Sequence, residues 1–136
     1  MPDLEGTRRL LKMAHKDLSA LAAMSEREAF ADEIFGFHAQ QAIEKCLKAW
    51  LALVDVEYPK THDLRALLAL LREGGVNVEG LWDLVEYNVY AVQFRYDAFD
   101  VPDEALDRPA VVDRVQEIVQ RVERLVAAVP VPPQER

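Results

Sequence analysis

Cysteine is almost absent from this chain, and that is the first constraint. Cys46 is the sole example among 136 residues, so neither an intrachain disulfide nor a cysteine zinc cluster can form. No apolar run approaches the ~18 residues that a membrane span needs. The opening MPDLEGTRRL lacks the basic-then-apolar layout of a signal peptide. These absences lead us to expect a cytoplasmic protein with no membrane association. Basic residues are also in deficit, and the net charge of -8 repels phosphate backbones as a whole, which disfavours non-specific binding to long DNA.

The enzyme motifs are missing in the same way. The chain has no Gly-x-x-x-x-Gly-Lys phosphate loop, no Gly-x-Gly-x-x-Gly turn and no Gly-x-Ser-x-Gly elbow. His15, His38 and His62 are not preceded three residues earlier by glutamate, so the di-iron pattern of helical bundles fails too. No metal and no cofactor are expected.

What is present is helical period. Half the residues are hydrophobic (51%), enough for a packed core rather than a disordered chain. The spacing predicts a first helix from about Asp3 to Met24, with Leu10, Met13, Ala14, Leu18 and Leu21 as its apolar stripe. Ser25 and Glu28 stand at capping-box spacing and predict a second helix running to about Val54. Thr61 is the expected N-cap of a third helix, with Asp63 near its positive end and Gly74 and Gly75 closing it. Asn77 is a candidate cap for a fourth, carrying Leu81, Trp82, Val85, Val89 and Val92 to about Phe94. Arg95 to Asp107 reads as a loop. Asp107 then caps a fifth helix with Pro109 in its first turn, and its many valines keep three-four spacing rather than the alternation of a strand. The expected fold is all-α: an antiparallel up-and-down bundle of about five helices over residues 1–129, followed by a mobile tail at 130–136.

The second helix holds most of the functional signal. Phe35, Ala39, Ala42, Ile43, Cys46, Trp50 and Leu53 share a core face. The opposite side begins with Phe30, Ile34 and Phe37, then turns polar with Gln41, Glu44, Lys45 and Lys48. A helix apolar on both sides is covered twice. Either the chain's own helices cover Phe30, Ile34 and Phe37, or a second copy does, in a homodimer.

FHAQQAIEKCLKAW (residues 37–50), PKTHDL (59–64) and FRYD (94–97), in that order, resemble the layout of the HEPN family, the "higher eukaryotes and prokaryotes nucleotide-binding" helical domains. The resemblance extends from the first helix through the fifth. It implies a helical bundle, frequent dimerisation, and nucleotide binding or RNA cleavage. It also implies a partner, since many members act with a minimal nucleotidyltransferase as a toxin–antitoxin-like pair. RNase-active members carry Arg, four to six residues, then His near the fourth helix, the Arg meeting the phosphate and the His handling a proton. Arg95 to Pro102 contains no His. Arg9 and His15 keep the spacing but point to different faces of the first helix. The chain is therefore expected to be a weak catalyst or none.

The expected ligand site gathers Gln41, Glu44, Lys45 and Lys48 with His62 at a helix start and Arg95 and Tyr96, the last two offering a bidentate phosphate donor and a stacking ring. Its expected occupant is a nucleotide or RNA. Arg8, Arg9, Lys12, His15 and Lys16 on the first helix, level with Lys45 and Lys48, would add a cationic patch. The alternatives are a metal-independent RNase of the HEPN type and a purely structural helical interaction protein.

Overall fold

A computed structural model describes residues 2–27, 29–91 and 106–130. Among them are five helices and no strand: α1 (Leu4–Met24), α2 (Asp32–Leu53), α3 (Leu64–Glu73), a 3₁₀ helix (Trp82–Tyr90) and α4 (Arg108–Ala127). The all-α bundle is as the sequence pattern required. Glu28, the segment from Val92 to Ala105 and the tail from residue 131 lie outside the described residues, as do the expectations that fell on them.

α2 is the hub. It packs against α1, α3, the 3₁₀ helix and α4, and its inner positions Phe35, Ala39, Ile43, Cys46 and Leu47 are fully buried. α1 runs antiparallel to it, with Asp17 beside His38 at one end and Thr7 Oγ1 3.2 Å from the Ala49 carbonyl at the other. α4 runs along α2 in the same direction, since Arg108 meets Asp32 and Arg121 lies over the Trp50 ring. Its valines are core residues: Val111, Val115, Val119 and Val122 are buried along one helical face.

Three boundaries differ from the sequence expectation. α2 does not start behind a Ser25 cap. Ser25 is itself helical (φ -57, ψ -38) and closes α1, whereas an N-cap needs extended backbone. Turns at Arg27 and Phe30 follow, and α2 enters from Ala31 (φ -65, ψ 152), which has no side-chain cap. The cap of α3 is Asp63, whose carboxylate accepts from Arg65 N–H, while Thr61 Oγ1 accepts from Asp63 N–H one turn earlier. Asn88 completes that cap from across the chain, accepting from Leu64 N–H at 2.9 Å and donating to Asp63 at 2.8 Å.

The third difference is the segment after Gly80. Asn77 accepts from Glu79 N–H and shapes a turn, but the helix that follows is 3₁₀ rather than α. A 3₁₀ helix repeats every three residues, so Leu81, Leu84, Tyr87 and Tyr90 fall in one row. Leu81, Leu84 and Tyr90 are buried, and Tyr87 packs against the core. Val89, expected in the apolar stripe, is exposed instead, as is Met13 of α1. The Tyr90 ring lies against Gly36, where an added Cβ would come within 2.4 Å of it, so α2 needs glycine there.

Arg108, at the start of α4, closes the turn between α1 and α2. It donates to both the carboxylate of Asp32 and the carbonyls of Met24, Arg27 and Phe30, and its guanidinium lies 5.1 Å from the Phe35 ring centre. Removing it leaves the part-buried Asp32 carboxylate without its counter-charge and the Phe30 carbonyl without its donor, while the Met24 and Arg27 carbonyls keep only the N–H groups of Arg27 and Phe30. Arg108→Ala is expected to lower the unfolding free energy by about 2–4 kcal/mol, with Arg108→Lys recovering only part, because an ammonium cannot reproduce the planar fork. Urea titration checks this; an unchanged midpoint for Arg108→Ala would show that the clamp is dispensable.

Candidate functional site

Two buried carboxylates interrupt the apolar packing of α2, and each holds one lysine and one histidine. Glu44 is the first. Its side chain is 5% exposed, deep enough that an unpaired charge would be costly. Its Oε1 accepts from Gln40 at 3.0 Å and meets His62 Nδ1 at 2.9 Å, and its Oε2 accepts from Lys48 at 3.0 Å. Gln40 also donates to the His62 carbonyl at 3.0 Å and accepts from Gln41 at 2.8 Å, so its amide is fully used. With an ionised carboxylate at Nδ1, the His62 ring carries a proton on that nitrogen. The ring is 66% exposed, which leaves Nε2 to solvent. Lys48 spreads its stem towards Tyr58 with Nζ 5.7 Å from the ring centre, and two of its three donors remain.

Burial pushes the Glu44 carboxyl upwards, but the hydrogen bonds from Gln40, His62 and Lys48, with the charge of Lys48, outweigh it and hold the group below its ordinary value of 4.5. It is a carboxylate at neutral pH.

Asp17 is the second. It accepts from Lys45 at 2.6 Å and lies 3.1 Å from His38 Nδ1, with its own side chain 12% exposed. The Phe37 ring meets His38 edge-on, centres 5.6 Å apart. Cys46, next along α2, is pushed up to about 12 by burial and by the charges of Glu123 and Asp17, which leaves its thiol protonated and unreactive.

The expected site is thus brought together only in part. Gln41, Glu44, Lys48 and His62 form one connected cluster between α2 and the start of α3. Lys45 does not join them: one residue further round α2, about 100° on, it turns to α1 and Asp17. Arg95 and Tyr96 fall outside the described residues. Of the apolar trio, Phe30 and Ile34 are partly buried against the chain's own core, while the half-buried Phe37 lies outside that packing. The cationic patch also changes. Lys45, Lys48 and His15 are each paired, with Asp17, Glu44 and Glu123, and the level of Thr7 with Ala49 places Arg8 nearer Lys48 than Lys45.

Four contributors were missed. Gln40 stands four residues before Glu44, a spacing that pairs side chains on a helix, and was readable. Asp17 falls between the apolar positions Ala14 and Leu21, and a charge in a core stripe was a signal as well. Asn88 and Arg108 act across the chain, and no local pattern announces them. Among the described residues no three His, Cys, Asp or Glu side chains are grouped to hold a metal ion. An open groove of about 690 Å³ lies at the other end of α2, lined by Arg27, Phe30, Asp32 and Arg108, whose guanidinium is already spent on the clamp.

A model of the HEPN domain family matches residues 7–130. The chain belongs to the HEPN family. No curated protein and no solved structure matches it. The matched span includes both carboxylate clusters, so they are features of a HEPN domain rather than of an appended segment.

Glu44 makes a pH-dependent contribution to stability. Because its folded-state value is depressed, the contribution is complete above 4.5 and is lost as pH falls through the folded value. Glu44→Gln is expected to cost about 1–3 kcal/mol at neutral pH, with the gap to wild type narrowing below pH 4.5. Thermal melts across that range check it, and a gap independent of pH would show that Glu44 is not the titrating group.

Proposed function

We propose that this HEPN domain is a dimeric, weakly catalytic or non-catalytic module that holds the phosphate of a nucleotide at the Glu44 cluster and works beside a nucleotidyltransferase-type partner as half of a toxin–antitoxin-like pair. The observation that carries the nucleotide reading is the exposed edge of a buried charge network. Glu44 anchors His62 and Lys48 from beneath: the His62 ring stands largely in solvent, with Nε2 a donor only when the ring is protonated, and the mostly buried Lys48 keeps two donors that Glu44 does not take. Donors fixed in this way meet an anion with little loss of side-chain entropy. Arg95 and Tyr96 enter through the FRYD resemblance, as a second phosphate donor and a stacking ring. For the partner and the pairing, the support is the habit of many HEPN domains to act beside a minimal nucleotidyltransferase.

Calorimetric titration with ATP, GTP and a short RNA tests the ligand. Wild type is expected to bind ATP or GTP, and Lys48→Ala combined with Arg95→Ala to lose binding at least tenfold while melting as a folded protein. The absence of heat at millimolar ligand would sink the nucleotide reading.

The dimer is proposed through α2, with Phe37 at its centre and Phe30 and Ile34 beside it. A two-fold interface presents the same patch twice, so one substitution acts on both sides. Phe37→Asp is expected to convert a dimer to a monomer in sedimentation at micromolar concentration. A wild type that is already monomeric there removes the proposal.

RNA cleavage has one observation in its favour. Asp17 fixes His38 through Nδ1, the arrangement that orients a proton-transferring imidazole. With no His after Arg95 we nevertheless expect little or no cleavage of single-stranded RNA in the presence of chelator. Robust cleavage abolished by His38→Ala would reverse this expectation.

A further inference from the structure

We propose that His62 is a covalent phosphoryl acceptor, a modification site in which Nε2 is the nucleophile and Glu44 positions the ring. The proposal rests on the reading of the Glu44 cluster as a phosphate site and adds a bond-forming step to it. The chain has three histidines, and one of them combines access with a fixed ring. His15 is exposed, but its Nε2 meets Glu123 at 3.1 Å and no buried group orients it. His38 is oriented by Asp17 through Nδ1, but it is more enclosed and has the Phe37 ring edge-on to it. His62 stands largely in solvent, yet its Nδ1 lies 2.9 Å from a buried carboxylate.

An exposed side chain is ordinarily free to turn. This one is held from both ends. The ring is bonded to Glu44, and the His62 main-chain carbonyl accepts from Gln40 at 3.0 Å. Gln40 also donates to Glu44, so one amide sets the carboxylate and the histidine backbone in register. The next residue, Asp63, is tied in turn by Thr61 and Asn88. Burial of Glu44 does not by itself require the ring. Each carboxylate oxygen already has another donor, Gln40 on Oε1 and Lys48 on Oε2. The imidazole is an addition to a satisfied carboxylate, and what it gains is a fixed tautomer.

That tautomer defines the chemistry. Glu44 is held below its ordinary value and stays ionised, and an ionised carboxylate only accepts. Whenever the ring is neutral its proton is therefore on Nδ1, and the Nε2 lone pair faces solvent. Nε2 attacks the phosphorus of a phosphoryl donor in line with the leaving atom. The N–P bond forms, the bond from phosphorus to the leaving atom breaks, and the leaving atom takes the electron pair. The phosphorylated ring is positively charged, keeps its Nδ1 proton, and is neutralised by the carboxylate already bonded there. Lys48, on the other oxygen of that carboxylate, has two donors left for the phosphoryl oxygens. The donor is a small activated phosphoryl compound or the terminal phosphoryl of a nucleoside triphosphate.

The test treats the full chain with phosphoramidate and, separately, with ATP and magnesium, then reads intact mass, peptide maps and the acid lability of the adduct. Phosphoramidate is expected to place one phosphoryl group on His62, about tenfold or more faster than on His15 or His38. In urea, where no ring is held, the three should label alike. His62→Asn is expected to abolish the fast labelling and His15→Asn to leave it unchanged. In Glu44→Gln the side-chain oxygen follows Lys48 and the amide nitrogen faces His62, so the ring is expected to move its proton to Nε2. Nitrogen NMR reads that change, and labelling should fall about tenfold while the variant still melts as a folded protein. If phosphoramidate labels His62 but ATP neither labels nor binds, the acceptor stands and the nucleotide reading falls. If ATP binds in calorimetry and neither donor labels His62, the nucleotide reading stands and the acceptor falls. Equal labelling of all three histidines in the folded chain, or labelling unchanged by Glu44→Gln after its tautomer has switched, also overturns the proposal.

Discussion

The guanidinium of Arg108 sets the frame on which the rest depends. It gathers the carbonyl at the end of α1, two carbonyls of the following turn and the carboxylate at the start of α2, and it does so from the first residue of α4. Three helix termini are fixed by one side chain. Backbone carbonyls inside a packed turn need donors, and the turn's own N–H groups cannot supply them all. Once the clamp holds, α2 starts at Asp32 and its phase is set. Phe35 and Ile43 then point inwards, Glu44 faces the start of α3 and Lys45 faces α1.

That phase explains why two charged clusters can stand in an otherwise apolar bundle. Each carboxylate is enclosed between two elements and meets a lysine from α2, so its charge is matched where it is buried. The histidines differ. His62 is presented from a cap and is largely exposed, while His38 comes from α2 itself and is about one-third exposed. The cluster facing α3 is therefore the more open to solvent, and the one facing α1 the more enclosed. Replacing either carboxylate with an apolar residue would strand a lysine.

Much of this was legible in the sequence, for a specific reason. Helices, their apolar faces, the Asp107 cap and the Gly74 end of α3 depend on residues close together in the chain. Spacing reports them directly. Glu44, Lys48, Gln41 and His62 were readable as a group because the first three share a helix and the fourth stands at a helix start. Lys45 was misplaced because adjacent helical residues diverge by more than a coarse face assignment resolves. The start of α2 was misplaced because Ser25 has the chemistry of a cap, and only a contact from residue 108 decides otherwise. The 3₁₀ helix was misread because Val85 and Val89 suggest a period near four, while the buried row keeps a period of three.

That 3₁₀ helix also sets a length. Nine residues wound at ~2.0 Å each reach about 18 Å, whereas the same residues as an α-helix would reach about 13.5 Å at 1.5 Å each. Rewinding would shorten the segment by roughly 4–5 Å and rotate its far end. The far end is tethered twice, by Asn88 to the Asp63 cap and by the Tyr90 ring against Gly36. Since Asp63 is the residue after His62, the winding of this segment and the position of that imidazole are mechanically joined. The 3₁₀ segment thereby links the edge of the Glu44 cluster to the glycine contact near the start of α2.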